Sequence, residues 1–450
     1  MSDSRLGLVR EEAGATMRLA GPLIGGQLAL IGMNFVDTVM AGSLNAEALA
    51  AVAIGSSVWS PIMLLVTGVL MAAPPAVAQY QGAGKLEEIA PYIRQVLWLS
   101  LCLGVAAILA AVNLKPILEF ADVQPEIVPI ATGYLKALCW GVPAWSVYMV
   151  ARLLSEGVGK TLPTLYFGLV GLLVNIPVNY VLMHGHLGFP ALGAVGCGYA
   201  TAVVWWVQCL GMLIYVAKHP DYRRLALFRS LEPFRREHVS EILRVGIPIG
   251  LSLFIETGLF AAVSLLIGSL GTVIVAGHQV ALNFAALTFM VPLGISMAIT
   301  IRVGNAVGRG DLKEAKFAGF VGIGLTVAVQ FVSASIMFTM PQAISQIYTR
   351  DPAIIAIAVQ LLFLAAIFQL SDGLQVGCAG ALRGYKDTQI PMRLTIVAYW
   401  LVGLPLGYFL GLRLGYGAEG VWIGLIFGLS LAALLLLRRM FQVSRRKERL

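Results

Sequence analysis

Three carboxylates stand inside long apolar runs of the sequence: Asp37, Glu256 and Asp372. A charged side chain at the centre of a bilayer costs at least about 2.5–3.5 kcal/mol on an insertion scale, so an acid kept there usually faces a cavity and serves function. The chemistry open to such a group is exchange. A carboxylate removed from water is costly until it holds a proton or a cation, and it can surrender one to receive another. The plainer alternative is an acid held by hydrogen bonds between helices for structure alone. That alternative weighs most on Asp37, a turn or two from the end of its run.

Each acid has polar company at helical spacing. Gln27, Asn34 and Thr38 recur at i, i+7 and i+11 with Asp37 beside them, Ser252 and Glu256 are i, i+4, and Gln369, Asp372 and Gln375 are i, i+3, i+6. Residues three and four apart share a helix face, so these read as polar stripes. Asn175 and Asn179 form another such pair with Pro177 between them, and Gln279 and Asn283 a further one. A proline there frees a backbone carbonyl and bends the helix, which is tolerated where the backbone borders protein or water. The alternative for the neutral pairs is glue between helices, worth about 0.6 kcal/mol each on average.

Other signals do not hold up. Gly157-Val158-Gly159-Lys160-Thr161 ends like a phosphate loop, but Leu154 stands where the leading glycine belongs, and the segment joins two apolar runs instead of a strand and a helix. No nucleotide is expected. His184 and His186 lie in a loop without a third ligand nearby, so no metal is expected either. The one histidine within an apolar run, His278, sits near its start, and no Ser/His/Asp or Cys/His grouping presents itself. Cys102, Cys139, Cys197, Cys209 and Cys378 stand singly in apolar runs and read as small buried hydrophobes. Tryptophans 59, 98, 140, 145, 205, 206, 400 and 422 lie towards run edges and read mostly as anchors at the membrane interface.

The elements that must position these groups follow from composition. Of 450 residues, 58% are hydrophobic and 12% charged, and the mean hydropathy is +0.85. Soluble domains carry about 25% charged residues, so a water-soluble enzyme is excluded, and disorder would need the opposite balance. A spanning helix takes roughly 20 apolar residues. Runs near 14–41, 47–75, 93–113, 127–153, 163–184 and 192–217 precede a polar stretch, Lys218 to Glu241; runs near 242–269, 276–302, 317–340, 353–381, 392–411 and 419–438 follow it. The first ten residues lack a cleavable signal pattern, so the first run is expected to remain.

The net charge of +8 is a matter of placement. With the N-terminus cytoplasmic, all but four of the 31 Lys and Arg fall on the cytoplasmic side, among them Arg5, Arg10, Lys85, Arg94, Lys218, Arg223, Arg224, Arg229, Arg235, Arg236, Arg309, Lys313 and the Arg445-Arg446-Lys447 tail. Lys115, Lys136, Arg350 and Arg413 are the exceptions. The excess is thus a topology signal with both termini inside, and nucleic acid is not an expected partner.

The two halves repeat. A shift of 226 residues puts Pro22 on Pro248, Gly32 on Gly258, Gly42-Ser43-Leu44 on Gly268-Ser269-Leu270, and Met71-Ala72 on Met297-Ala298. Later the shift is 228, pairing Pro163 with Pro391 and Tyr180 with Tyr408. Six spans per repeat is an even number, so both halves enter from one side, as a parallel repeat. The expected fold is therefore an all-α membrane protein of about twelve helices in two six-helix bundles around a cleft. Residues 1–220 form the first bundle, 221–240 a cytoplasmic linker and 241–450 the second.

With this architecture, the segment Val36-Asp37-Thr38-Val39-Met40-Ala41-Gly42 resembles the end of the first span in MATE multidrug exporters of the bacterial NorM type. Pro22, Asn175-Ile176-Pro177-Val178-Asn179-Tyr180, Glu256 and Ser371-Asp372-Gly373 carry the likeness along nearly the whole chain. The resemblance implies an acidic cavity in the first bundle at Asp37, Asn175 and Asn179, and a cation site in the second at Glu256 and Asp372. It implies an antiporter of the bacterial inner membrane that exports organic, often cationic drugs and dyes as H+ or Na+ enters. Some sodium-coupled relatives place a tyrosine one turn before the tenth-span acid, where this chain has Phe368, so the coupling ion stays open between H+ and Na+.

On this reading Glu256, Asp372 and Asp37 bind the coupling ion, and Asp37, Asn34, Asn175, Asn179, Gln279 and Asn283 the substrate. No cofactor or covalent intermediate is required, the bilayer is the surrounding partner, and a monomer is expected. A lipid-linked saccharide flippase would call for cleft arginines, a prenyl-phosphate transferase for clustered acids in a cytoplasmic loop, and a channel for something other than a dead-end cleft. These rivals lack their signatures here.

Overall fold

Backbone groups in hydrocarbon have no water to bond, so a chain this apolar must satisfy them internally. Among the described residues every regular element is a helix. The computed structural model describes residues 2–114, 116, 124–227 and 232–448; Lys115 and Arg229 lie outside them, as do the side chains of Arg5, Arg446 and Lys447.

Eleven helices in the described residues are long and apolar enough to cross a membrane. Spans 1 to 3 are Leu6–Leu44, Ala46–Gly82 and Leu86–Val112; spans 5 and 6 are Leu162–His184 and Ala194–Lys218. Spans 7 to 12 are Arg236–Gly268, Thr272–Gly308, Leu312–Thr339, Pro352–Gly384, Gln389–Arg413 and Gly417–Arg445. Span 4 is a bent pair, Ile127–Cys139 and Val142–Gly157, which meet at 50°. The sequence reads as one continuous run there. The bend falls at Trp140-Gly141, just before Pro143, where the chain presses on the sixth span: a Cβ on Gly141 would lie 2.7 Å from Ala202 Cα.

Short polar residues start several helices. Asn45 separates spans 1 and 2, its Oδ1 accepting from Ala48 N at 2.7 Å. Asp311 and Asp351 open spans 9 and 10 in the same way, accepting from Glu314 N and Ala353 N at 2.9 Å each. Each cap satisfies one of the donors that a helix start leaves open. Span 11 departs from the α pattern, winding as π-helix over Val397–Gly403 and again over Phe409–Arg413.

Packing groups the chain into two units, Gly25–Gly250 and Met1–Ile24 with Leu251–Leu450. The division falls inside spans 1 and 7, not at the polar linker. In the first unit, Gly246 and Gly250 let span 7 press on span 2: added Cβ atoms would stand 2.1 Å from Val69 O and 2.8 Å from Leu65 O. In the second, the start of span 1 joins span 8, where Glu12 pairs with Arg302 and Gly294 meets Ile24.

Within the first unit the polar linker is tied down. Arg94 of span 3 donates to Leu227 O, Ala226 O and Glu232 Oε1 at 3.1, 2.8 and 3.0 Å. Gln95 beside it donates to Pro233 O and accepts from Arg235 N, and Trp98 donates to Glu232 O. Tyr222 pairs with Ser155, and burial pushes its phenol up to about 12, so it stays a neutral hydrogen-bonding group.

Two expectations need correction. Trp59, Trp145 and Trp422 are buried, not interface anchors, and Trp422 Nε1 donates to His278 Nδ1 at 3.2 Å while Ser264 Oγ lies 3.1 Å from His278 Nε2. An indole N–H needs a partner when buried, and His278, itself fully buried, supplies it. All five cysteines are free, but only Cys197, Cys209 and Cys378 are buried; Cys102 is exposed. Lipid as well as protein satisfies an apolar thiol, so burial was not required of it.

Candidate functional site

In the Gly25–Gly250 unit, spans 1 and 5 approach closely because glycine and threonine line the contact. A Cβ on Gly26 would meet Thr164 Cγ2 at 2.8 Å, and one on Gly168 would meet Gly26 Cα at 3.3 Å. Small residues are what let membrane helices approach backbone to backbone. The closeness brings Asp37 against both asparagines: Asn175 Nδ2 and Asn179 Nδ2 donate to its Oδ1 at 3.0 and 2.6 Å. Asp37 is 9% exposed and the asparagines 1% and 0%. The Oδ1 atoms of both asparagines are buried without a hydrogen-bond partner.

Two further side chains address the same carboxylate, Cys197 and Thr201 of span 6. Tyr134 of span 4 lies within electrostatic reach of it and bonds Ser56 at 3.3 Å. Sequence reasoning missed all three. Their i, i+4 spacing placed Cys197 and Thr201 on one face, and the smallness of both residues was the only other sign. Cys197 is thus part of a polar site, not merely a small hydrophobe.

Asn34 and Thr38 do not join this cluster. Both are exposed, and the Thr38 hydroxyl donates to Asn34 O at 2.9 Å instead. Thr38 follows Asp37 by one residue, about 100° around the helix, too far to share its face.

In the second unit, Asp372 of span 10 is 3% exposed and accepts from Gln330 Nε2 of span 9 at 3.4 Å. Gln330 also donates to Gln369 Oε1, and Gln369 Nε2 donates on to Thr288 Oγ1 of span 8. Gly373 makes room for this chain of amides, since a Cβ there would stand 2.7 Å from Gln330 Cγ. Glu256 of span 7 is partly buried, faces the Gln375 side chain, and interacts electrostatically with both Asp372 and Arg383. Arg383 is anchored by Ser296 Oγ at 2.7 Å. Tyr399 of span 11 lies within reach of both acids.

The structure therefore brings Glu256 and Asp372 into one cluster with the Gln369–Gln375 stripe. It leaves Gln279 and Asn283 outside it, with both side chains exposed. Gln330, Thr288, Arg383 and Tyr399 were not singled out in the sequence, because what marks them is contact between helices and not a spacing along one helix. Among the described residues no group of three or more His, Cys, Asp or Glu is placed to hold a metal ion.

A family model named MatE matches the chain twice, over residues 22–181 and 248–409. The chain belongs to the MatE family. The two matches begin at Pro22 and Pro248, the pair joined by the 226-residue shift, so the family's unit is the repeat itself. Multidrug resistance protein PmpM of Pseudomonas aeruginosa is 45% identical over 444 residues, covering 97% of this chain and 93% of that protein.

Solved MATE structures share the fold. The eukaryotic MATE transporter AtDTX14 matches with a TM-score of 0.86 at 19% identity, covering 98% of each chain. An outward-facing multidrug resistance MATE family transporter of the MOP superfamily matches with a TM-score of 0.87 at 22% identity, covering 97% of this chain and 96% of that one. This MATE chain is accordingly a multi-pass membrane transporter and not an enzyme.

Proposed function

We propose that this chain is a multidrug exporter of the bacterial inner membrane, working by cation-coupled antiport through alternating access. The observation that carries the substrate side is the Asp37 cluster. One carboxylate is held by two amide donors, and two unpartnered amide oxygens stand beside it. Such a group of oxygens suits an organic cation, whose charge offsets the cost of the buried carboxylate. A proton on Asp37 would remove that charge, so proton and drug compete for one group. The 45% identity to a protein named for multidrug resistance supports the same reading.

The coupling side follows from charge balance in the second unit. With both acids ionised, Glu256 and Asp372 would carry two negative charges against the one positive charge of Arg383, so one H+ or Na+ would balance the group. The arginines give no support to a diphosphate cradle. Arg94, Arg152, Arg302 and Arg439 each pair with a carboxylate: Glu232, Glu156, Glu12 and Asp387.

Counterflow in proteoliposomes tests the proposal. Ethidium should leave against its gradient when a pH or sodium gradient is imposed, and Asp37→Asn should stop it. Export indifferent to both gradients would overturn the antiport reading.

A further inference from the structure

Tyr399 is buried in span 11 with its hydroxyl unsatisfied. The residue is 1% exposed, and its Oη has no hydrogen-bond partner. Buried polar groups in native proteins nearly always find one, and an exception calls for a physical reason. The phenol lies in the same apolar cluster as Phe368 and Trp422, within reach of the charges of Glu256 and Asp372. Two more buried oxygens near these acids lack partners, Gln330 Oε1 and Gln375 Oε1. Three unsatisfied buried oxygens thus lie near one pair of acids.

The local backbone is unusual at the same place. Val397–Gly403 is π-helical, and π turns concentrate at functional sites because they displace a side chain from its α position. Span 12 packs on the end of the π segment through glycines: a Cβ on Gly403 would stand 3.1 Å from Gly428 Cα, and one on Gly424 would stand 2.8 Å from Gly403 O. A tyrosine needed only for packing would not require this detour, and a structural hydroxyl would bond a carbonyl or carboxylate directly. Groups that share an intervening ion or water stand farther apart than a direct hydrogen bond.

We propose that Tyr399 is a further ligand of the monovalent cation held by Glu256 and Asp372, its hydroxyl satisfied when sodium, or a proton carried with water, occupies the site. The inference rests on the coupling role given to the two acids above. Around the phenol, span 7 presents Glu256 and span 10 presents Asp372, with Arg383 acting on Glu256. Span 12 carries no charged residue between Glu419 and Arg438, and its Trp422 is engaged with neutral-tautomer His278 of span 8, whose Nδ1 accepts the indole N–H.

The test compares Tyr399→Phe, Glu256→Gln and Asp372→Asn with the parent in proteoliposomes, reading ethidium transport against imposed pH and sodium gradients separately. Tyr399→Phe should need about tenfold more of the coupling cation for half-maximal transport, the scale of one hydrogen bond to a charged group. A shift in the sodium arm identifies the ligand as sodium, and a one-unit shift in the pH arm identifies it as the proton.

Parental cation dependence in Tyr399→Phe, with coupling lost in the acid variants, overturns this inference alone. Parental coupling in both acid variants overturns it together with the reading it rests on. A Tyr399→Phe protein that melts several degrees lower, with unaltered cation dependence in the folded fraction, would make the hydroxyl structural and also overturn it.

Discussion

Asn179 and Asn175, one helical turn apart, both give their amide protons to a single oxygen of Asp37, at 2.6 and 3.0 Å. The convergence makes Asp37 the irreplaceable member. Asp37→Asn removes the only charge and turns the hydrogen-bonded carboxylate into an amide whose NH2 faces two others. Dye efflux should fall to near background while expression and melting temperature hold. Asn175→Ala or Asn179→Ala removes one donor to a charged group, about 1.5–3 kcal/mol, so transport should weaken by roughly ten- to a hundredfold yet persist. Ethidium efflux from cells matched for expression checks the order.

The basic linker is expected on the cytoplasmic side, and the structure supplies exposed positions to test this. Ser240 at the start of span 7 and Phe189 in the loop after span 5 are both exposed. A Ser240→Cys thiol should react with an impermeant maleimide only after permeabilisation, and a Phe189→Cys thiol in intact cells. The reverse pattern would invert the topology.

Much of this was legible in the sequence because it depends on period and count. The two repeat shifts, the span positions and the three isolated acids follow from hydropathy and spacing, and the family model's two starts at Pro22 and Pro248 coincide with the repeat. Asn175 and Asn179 were legible because both lie on one helix. Thr201, Gln330 and Tyr399 were not, since their significance lies in contacts between helices that no single-helix pattern records. The π turn at Val397–Gly403 was equally hidden: it adds a residue per turn without changing the apolar character of the run. Asn34, Gln279 and Asn283 keep the helical spacing read from the sequence, but their exposed side chains take no part in the two buried clusters.

The linker is latched to span 3 chiefly through Arg94, which reaches two carbonyls and Glu232. Arg94→Ala should release the backbone around Ala226 and Leu227 and raise its local opening. Trypsin cleavage at Arg223, Arg224 or Arg235 should quicken several-fold in detergent, with the spans remaining intact. Cleavage at the parental rate would mean that Gln95 and Trp98 hold the linker unaided.

Glycines in the second unit separate folding from coupling. A Cβ on Gly424 would lie 2.2 Å from Gly407 N and 2.3 Å from its Cα, both backbone atoms with nowhere to go. Gly424→Ala should therefore push spans 11 and 12 apart, at a cost typical of overpacking, about 1–3 kcal/mol or more, and lower both expression and melting temperature. At Gly373 the nearest obstacle is instead the Gln330 side chain, 2.7 Å away at Cγ, with Thr326 O at 2.9 Å. Rotation can move Gln330 Cγ, at the loss of its amide contacts to Gln369 and Asp372, but Gln330 Cβ and Thr326 O, each 2.9 Å away, yield only if span 9 shifts. Gly373→Ala should consequently also lower stability, and in the folded fraction it should shift the cation dependence of transport, because Asp372 loses its neutral hydrogen-bond donor. Melting temperature and gradient-driven ethidium export, measured on the two variants together, distinguish the cases. Equal thermal losses with unchanged cation dependence at Gly373 would show that the amide chain does not act on Asp372.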